Sequence, residues 1–172
     1  GYDLITKQEY NNGKELKKDI RWLNDQLAKI TGQIRELAKK KRYREDYGLL
    51  ISVPGIGLLG GMALLTQLGD LRRFGSLDRL CHYVGLVPRV HGSGERMVVG
   101  KLTKRGRKEI KIMLIEAAWV AVRQDPAMML RFSGLKKRMN ANKAIIRIAK
   151  NLLGRIRHIL KHRTPYEPGV VK

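Results

Sequence analysis

The sequence predicts an all-α protein. A long N-terminal coiled-coil helix precedes a compact helical domain, and that domain contains a helix-hairpin-helix and an extended loop that carries a serine. Two observations lead to this prediction. Apolar residues recur at helical spacing through most of the chain, first in heptads and then in broader stripes. Residues 86–101 differ, because they combine Pro and several Gly with two Val pairs, a composition typical of extended or looped chain.

The N-terminal segment carries a heptad pattern. Apolar residues alternate at spacings of three and four, with polar and charged residues between them. A narrow stripe at this spacing favours a coiled coil with a second chain. A lone amphipathic helix that packs on its own domain is the alternative. We therefore predict a homo-oligomer through Leu16, Ile20, Leu23, Leu27, Ile30, Ile34 and Leu37.

We divide the chain into three parts. Residues 1–47 form the coiled-coil helix and a hinge, which we place in the charged stretch "AKKKRYREDYG". Residues 48–166 form the compact domain. Residues 167–172 form a tail, because Pro165 and Pro168 stop any helix.

The first half of the compact domain holds two predicted helices. The stretch 58–69 reads as a helix with Leu58, Met62, Leu65 and Leu68 directed inward. The stretch 75–85 reads as a shorter helix, with Ser76 as its N-cap.

Three longer helices are predicted after residue 101. The first is capped by Thr103 and runs to about Gln124, and Pro126 suits the first turn of the next, at about 126–138. Asn142 opens the last. The residues predicted to be buried are Ile110, Leu114, Ala117, Ala118 and Ala121 in the first, and Ile145, Ile148, Ala149, Leu152, Ile156 and Ile159 in the last.

The charge of the chain points to a polyanionic partner. The 172 residues include 36 Lys and Arg against 15 Asp and Glu, which gives a formal charge of +21. Residues 46–172 hold +16 of it. Such an excess repels itself unless a polyanion is near, so nucleic acid is the first candidate and an anionic membrane surface the second. The chain shows no apolar run of about 18 residues, no signal-peptide pattern and only Cys81, which fits a cytoplasmic protein.

The stretch "SVPGIG" is a candidate phosphate-binding turn. Glycines let a phosphate approach the backbone closely, and the free N–H groups of the following helix can bind it. Such a contact reads no base, so binding would be independent of sequence. A plain turn between packed helices is the alternative, because Pro-Gly turns are common. The candidate DNA contacts here are Pro54, Gly55, Ile56 and Gly57, with Arg72 and Arg73 as further contacts or as helix C-caps.

The stretch "HGSGER" contains a candidate nucleophile. Glycines on both sides leave the Ser93 hydroxyl accessible, and His91 lies two residues before it. A serine nucleophile also needs a base or a metal to remove its proton. The alternative is an ordinary Gly-Ser-Gly loop.

Basic residues follow this loop in "KLTKRGRKEIK". Cations at a helix start are unfavourable with respect to the helix dipole, and a phosphate bound there would reverse the sign. The candidate phosphate contacts in this run are Lys101, Lys104, Arg105, Arg107 and Lys108, and a solvated face is the alternative. Arg89, before Ser93, and Arg96, shortly after it, are further candidate contacts if the chain acts on DNA as a recombinase. Lys143, Arg147, Lys150, Arg157 and Lys161 form a second possible basic track, or a solvated helix face. The acidic residues show no spacing that indicates a metal site, so we assign none to this chain.

Five stretches follow one another in the chain: "VPGIGLLGGMALLTQLGDLRRF", "YVGLVPR", "SG", "KLTKRGRKEIKIMLIEAAW" and "TPY". In this order they resemble the C-terminal domain of DEDD-type insertion-sequence transposases related to the Piv DNA invertases. These are bridge-RNA-guided serine recombinases. The resemblance covers residues 48–166 and implies that Ser93 is the serine that attacks a DNA phosphate. It also implies a guide RNA as a partner, and a magnesium-binding RuvC-like domain that is absent from this chain.

Two functions follow from these observations. The first is the C-terminal part of a transposase or site-specific recombinase, which binds DNA and supplies Ser93 but is catalytically incomplete by itself, with no cofactor of its own. The second is a non-enzymatic, dimeric helix-hairpin-helix module that binds nucleic acid.

Overall fold

A computed structural model describes residues 7–91, 98–103 and 106–169. The fold is all-α, as predicted, with a two-stranded antiparallel ribbon inserted between two helices. The elements in chain order are α1 (Lys7–Lys39), α2 (Lys41–Leu50), α3 (Leu58–Leu68), a 3-10 turn (Leu71–Arg73), α4 (Leu77–Val84), β1 (Pro88–His91), β2 (Val98–Leu102), α5 (Lys108–Gln124), α6 (Pro126–Lys136) and α7 (Ala141–His162).

The N-terminal helix α1 leaves most of its heptad stripe exposed. Five members of the stripe are each more than half exposed: Leu16, Ile20, Leu23, Leu27 and Ile30. Near the C-terminal end of α1, Ala38 is buried, and α1 contacts α2 and α3. The charged stretch predicted as a hinge forms α2, which is separated from α1 by the extended backbone of Lys40.

Helices α5 and α7 form the centre of the domain, and α4 and α6 pack against them. The buried face of α5 consists of the residues predicted from its helical spacing, from Ile110 to Ala121. The predicted apolar stripe of α7 is likewise buried, from Ile145 to Ile159. Each large aliphatic side chain buried here contributes about 1.5–3 kcal/mol of transfer free energy.

Helix starts agree with the sequence where the capping residue was identified correctly. Ser76 accepts a hydrogen bond from the Arg79 N–H at the start of α4. Pro126 occupies the first turn of α6 as predicted, and Asp125 is its N-cap. Helix α7 starts earlier than predicted, because Asn140 rather than Asn142 accepts from the Lys143 N–H.

The prediction that Thr103 caps α5 is wrong. The Thr103 N–H donates to the Val87 carbonyl at 3.0 Å and extends the ribbon instead. Gly106 then takes a positive φ of 101° and packs against Val84 and Gly85, where a Cβ would lie 2.7 Å from backbone atoms. A helix cannot continue through this conformation, so α5 begins at Lys108.

Candidate nucleic-acid interface

The "SVPGIG" stretch forms the turn between α2 and α3, which pack against each other. The Val53 N–H donates to the Leu50 carbonyl, and the Ile56 N–H donates to the Val53 carbonyl, each at 3.0 Å. Val53 and Ile56 are buried, so the Ile56 side chain anchors the turn in the core. Gly55 and Gly57 lie at the surface and Pro54 is half-buried. A role of this turn in DNA binding stays a prediction.

Gly55 brings this turn close to α5. Its φ is 81°, and a Cβ at this position would lie 2.6 Å from the Cα of Ala117. Gly60, one turn into α3, faces Met113. Gly57 has no neighbouring atom within 4 Å of a Cβ position, so the backbone is open at the start of α3.

A concavity of about 570 Å³ lies at the turn. Residues 51–57 line one part of it, and Gln124 and Pro168 line the rest. The end of α5 and the C-terminal segment therefore shape the surface that the turn presents to a ligand.

A buried carboxylate ties the C-terminal segment to this region. Asp125 is fully buried and accepts hydrogen bonds from the Ala127 and Gly169 N–H groups, each at 2.9 Å. Arg155 donates to it at 2.9 Å, and the Tyr166 hydroxyl donates to the same oxygen. Burial alone would raise the pKa of Asp125, but the hydrogen bonds from Tyr166, Gly169 and Ala127 and the charge of Arg155 outweigh it and lower that pKa.

Tyr166 connects this carboxylate to the "SVPGIG" turn. Its backbone N–H donates to Ser52 Oγ at 2.8 Å, and the Ser52 hydroxyl donates to the Leu49 carbonyl at 2.6 Å. Burial and the hydrogen bond to Asp125 raise the pKa of the Tyr166 phenol, so this group stays protonated. Sequence reasoning missed this network, because its members are spread along the chain. The segment predicted as a tail is held in place at Gly169.

The antiparallel ribbon contains a bulge. Pro88 pairs with Leu102, whereas His91 pairs with Val98, so the register changes by one residue between them. The change places Arg89 opposite two residues, Gly100 and Lys101. Ser93 and Arg96 belong to residues 92–97, which join the two strands and lie outside the described residues, as do Lys104 and Arg105.

Two of the predicted phosphate contacts meet on one tyrosine. Arg107 Nη2 donates to the Tyr83 hydroxyl at 2.9 Å, and its guanidinium carbon lies 5.4 Å from the Tyr83 ring centroid. The Arg73 guanidinium carbon lies 5.3 Å from the same centroid and 4.7 Å from that of Phe74. Lys108 is exposed at the start of α5. For Arg72 the structure describes the backbone, in the 3-10 turn.

The predicted basic track on α7 is divided by internal contacts. Arg157 donates to the Phe74 carbonyl at 2.8 Å, and Lys150 pairs with Asp78 at 3.3 Å. Lys143 and Arg147 are exposed. Arg157 therefore supports the turn before α4, and the face is not a continuous row of solvated cations.

Two more properties concern residues 7–91, 98–103 and 106–169. None of their helices has both the length and the apolar composition needed to cross a membrane. Within the same residues, His, Cys, Asp and Glu side chains form no group of three suited to a metal ion. Cys81 is buried, and this burial raises the pKa of its thiol to about 11.

Together these features define a basic, largely helical domain with an inserted ribbon. Residues 47–133, just over half of the chain, match the Transposase IS116/IS110/IS902 family, and the chain belongs to that family.

The chain is also similar to curated relatives. It is 29% identical over 162 residues to a "Probable family 20 transposase" of Pseudomonas aeruginosa, which covers 91% of this chain and 46% of the relative. It is 28% identical over 138 residues to a "Transposase for insertion sequence element IS1111A" of Coxiella burnetii, covering 78% of the chain and 38% of the relative. A "Pilin gene-inverting protein" of Moraxella lacunata is 28% identical over 158 residues, which are 88% of this chain and 48% of the relative. The chain spans less than half the length of these relatives.

Proposed function

We propose that this chain is the C-terminal part of a transposase or site-specific DNA recombinase, in which it binds the DNA backbone and supplies the serine nucleophile. The observation that carries the proposal is the ribbon. In a chain of this family, paired strands flank the segment that contains Ser93, and basic residues adjoin them on both sides.

In the proposed reaction, Ser93 Oγ attacks a backbone phosphorus. An ester bond forms between Oγ and phosphorus, the bond to the leaving sugar oxygen breaks, the serine proton passes to a base and the leaving oxygen takes up a proton. Attack by a sugar hydroxyl from another strand reverses these steps and completes strand exchange. Ser93 thereby preserves the energy of the phosphodiester bond while the strands are exchanged.

The rest of the proposed machinery lies outside this chain. A RuvC-like domain would hold magnesium through its own carboxylates, and a guide RNA would select the DNA. Besides supplying Ser93, the present chain would position the DNA backbone. The "SVPGIG" turn and the Arg73 and Arg107 side chains would hold DNA phosphates, and the formal charge of +21 would favour the approach of DNA to the chain. We expect this work to take place in the cytoplasm.

We further propose that α1 joins two protomers. Its exposed apolar stripe has heptad spacing and five members that are each more than half exposed. A parallel or antiparallel coiled coil would cover them. Two protomers would then bring two Ser93 residues to one pair of DNA duplexes.

The experiment that tests the nucleophile uses the protein with its N-terminal region, its guide RNA and DNA substrates. The expected result is a covalent protein–DNA adduct and recombinant DNA from the native protein, and neither from Ser93→Ala. Arg131→Gln, at an exposed position on α6, is the control and should retain both products.

A different outcome would support the non-enzymatic alternative. If Ser93→Ala still forms adduct or recombinant DNA, Ser93 is not the nucleophile. If the native protein binds DNA in a salt-dependent manner but never yields an adduct, the chain is a binding module.

A further inference from the structure

Two arginines from distant parts of the chain converge on one tyrosine at the base of the ribbon. Arg73 ends the 3-10 turn, Tyr83 lies near the end of α4 and Arg107 is the N-cap of α5. Both guanidinium groups lie within 5.4 Å of the centroid of the same ring. Both arginines are exposed, and Tyr83 is half-buried.

Among the described residues, this arrangement places two like charges together, and no carboxylate forms a salt bridge with either of them. Two cations this close repel each other. Each cation–π contact with Phe74 or Tyr83 stabilises the arrangement by only about 0.5–1 kcal/mol at an exposed site. An anion with several acceptor oxygens would complete the site.

The cluster is well supplied with donors for such an anion. A guanidinium carries N–H groups in a planar fork that matches phosphate, and each arginine has more of them than its contact with Tyr83 uses. The Tyr83 oxygen accepts from Arg107, so its own O–H remains able to donate. The neighbouring guanidinium groups lower the pKa of this phenol, Arg107 through its hydrogen bond first and then Arg73, which makes the O–H a stronger donor.

The cluster is packed against the domain on one side. The Phe74 ring lies 5.2 Å from the Tyr83 ring between centroids, and Arg157 fixes the Phe74 carbonyl from α7. Gly106 packs against Val84 and Gly85, which joins the start of α5 to the end of α4. The three polar groups are thus held in place before a ligand arrives, which reduces the entropy cost of binding.

We propose that Arg73, Tyr83 and Arg107 form a single site that binds one phosphodiester of the DNA backbone beside the ribbon. Tyr83 donates its O–H to the phosphate, and Phe74 and Arg157 position the cluster. The proposal rests on the proposed DNA-binding function and deepens it, because two contacts that the sequence suggests separately become one shared site with a tyrosine as the third ligand.

The test measures the affinity of this chain for a fluorescent 20-base-pair DNA duplex as a function of salt concentration. Arg73→Gln and Arg107→Gln should each weaken binding by about tenfold, and Tyr83→Phe by about threefold without a change in the slope of log K against log salt. Arg131→Gln removes the same charge elsewhere and should weaken binding less than about twofold. Thermal unfolding of each variant identifies any loss of fold.

The double variant Arg73→Gln/Arg107→Gln decides whether the phosphate is shared. One lost phosphate contact lowers the salt slope by about one, and two independent contacts would lower it by about two. A decrease of two, or unchanged affinity in the variants, overturns the shared site and leaves DNA binding intact. Failure of the native chain to bind the duplex overturns both proposals.

A spectroscopic measurement keeps the site testable if an arginine variant unfolds. The difference in ultraviolet titration between the native chain and Tyr83→Phe isolates the Tyr83 phenol, in the absence and presence of the duplex. A bound phosphate brings negative charge to the phenol and should raise its pKa. An unchanged Tyr83 titration on a chain saturated with duplex would overturn the proposal.

Discussion

The Tyr166 hydroxyl donates to the carboxylate of Asp125, which lies 41 residues earlier in the chain. Asp125 is also the N-cap of α6 and the partner of Arg155. One fully buried carboxylate therefore joins a helix start, the last long helix and the C-terminal segment. Through the Tyr166 N–H, the same network reaches Ser52 at the "SVPGIG" turn.

Removal of this carboxylate should strongly destabilise the domain. Asp125→Ala leaves Arg155 without its buried partner and should lower the free energy of unfolding by about 3–5 kcal/mol. Asp78→Ala is the matched control, because Asp78 pairs with Lys150 at the surface, and it should cost no more than about 1 kcal/mol. Urea denaturation monitored by circular dichroism gives both values. Equal losses in the two variants would contradict the central role of Asp125.

The same carboxylate predicts a pH dependence. Its pKa is lowered in the folded protein, so its contribution to stability is present above the ordinary value of 3.8 and is lost as pH falls through the folded value. We expect the free energy of unfolding of the native chain to fall steeply below about pH 4. Asp125→Asn removes this titration, so its stability should fall less over the same range. Parallel curves for the two proteins would argue against a titrating Asp125.

The turn between α2 and α3 should tolerate alanine at one glycine and not at the other. Gly55→Ala places a Cβ against the backbone of Ala117 at a positive φ, which should cost about 2–4 kcal/mol. Gly57→Ala meets open space at a negative φ and should cost about 1 kcal/mol or less. Thermal denaturation of the pair measures the difference. Similar melting temperatures for the two variants would show that the close approach to α5 is not maintained in solution.

The apolar stripe of α1 should control self-association. Leu23→Glu introduces a charge into the stripe and should dissociate the proposed dimer. Trp22→Glu changes the adjacent side chain, which is similarly exposed but lies outside the heptad positions, and should leave association intact. Sedimentation equilibrium distinguishes monomer from dimer. Loss of association in both variants, or in neither, would exclude the heptad stripe as the contact surface.

Local patterns predicted the helical interior well. The spacing of Ile110, Leu114, Ala117 and Ala121 predicted the buried face of α5, because an amphipathic helix turns its single apolar stripe toward the protein core. Ser76 and Pro126 marked helix starts, because capping depends on neighbouring residues. Thr103 failed as a cap, because pairing with Val87 and the conformation of Gly106 are set by tertiary packing.

The candidate site was less predictable from sequence. Arg73 and Arg107 were found from charge, but no local signal places both beside Tyr83, which depends on the packing of α4 against α5. Arg157 was grouped with exposed cations, yet it donates to the Phe74 carbonyl, 83 residues away. Asp125 has partners 30, 41 and 44 residues distant in Arg155, Tyr166 and Gly169. Such contacts arise only when the whole domain has folded.

The exposed stripe of α1 makes self-association of the protein depend on salt concentration. Chains that each carry a formal charge of +21 repel one another at low ionic strength, and added salt screens this repulsion and favours contact between the apolar stripes. Added salt has the opposite effect on contacts with a nucleic-acid backbone, since it reduces the gain from counterion release. Ionic strength therefore shifts the balance between two kinds of complex: low salt favours binding of the protein to nucleic acid, and high salt favours self-association of the protein.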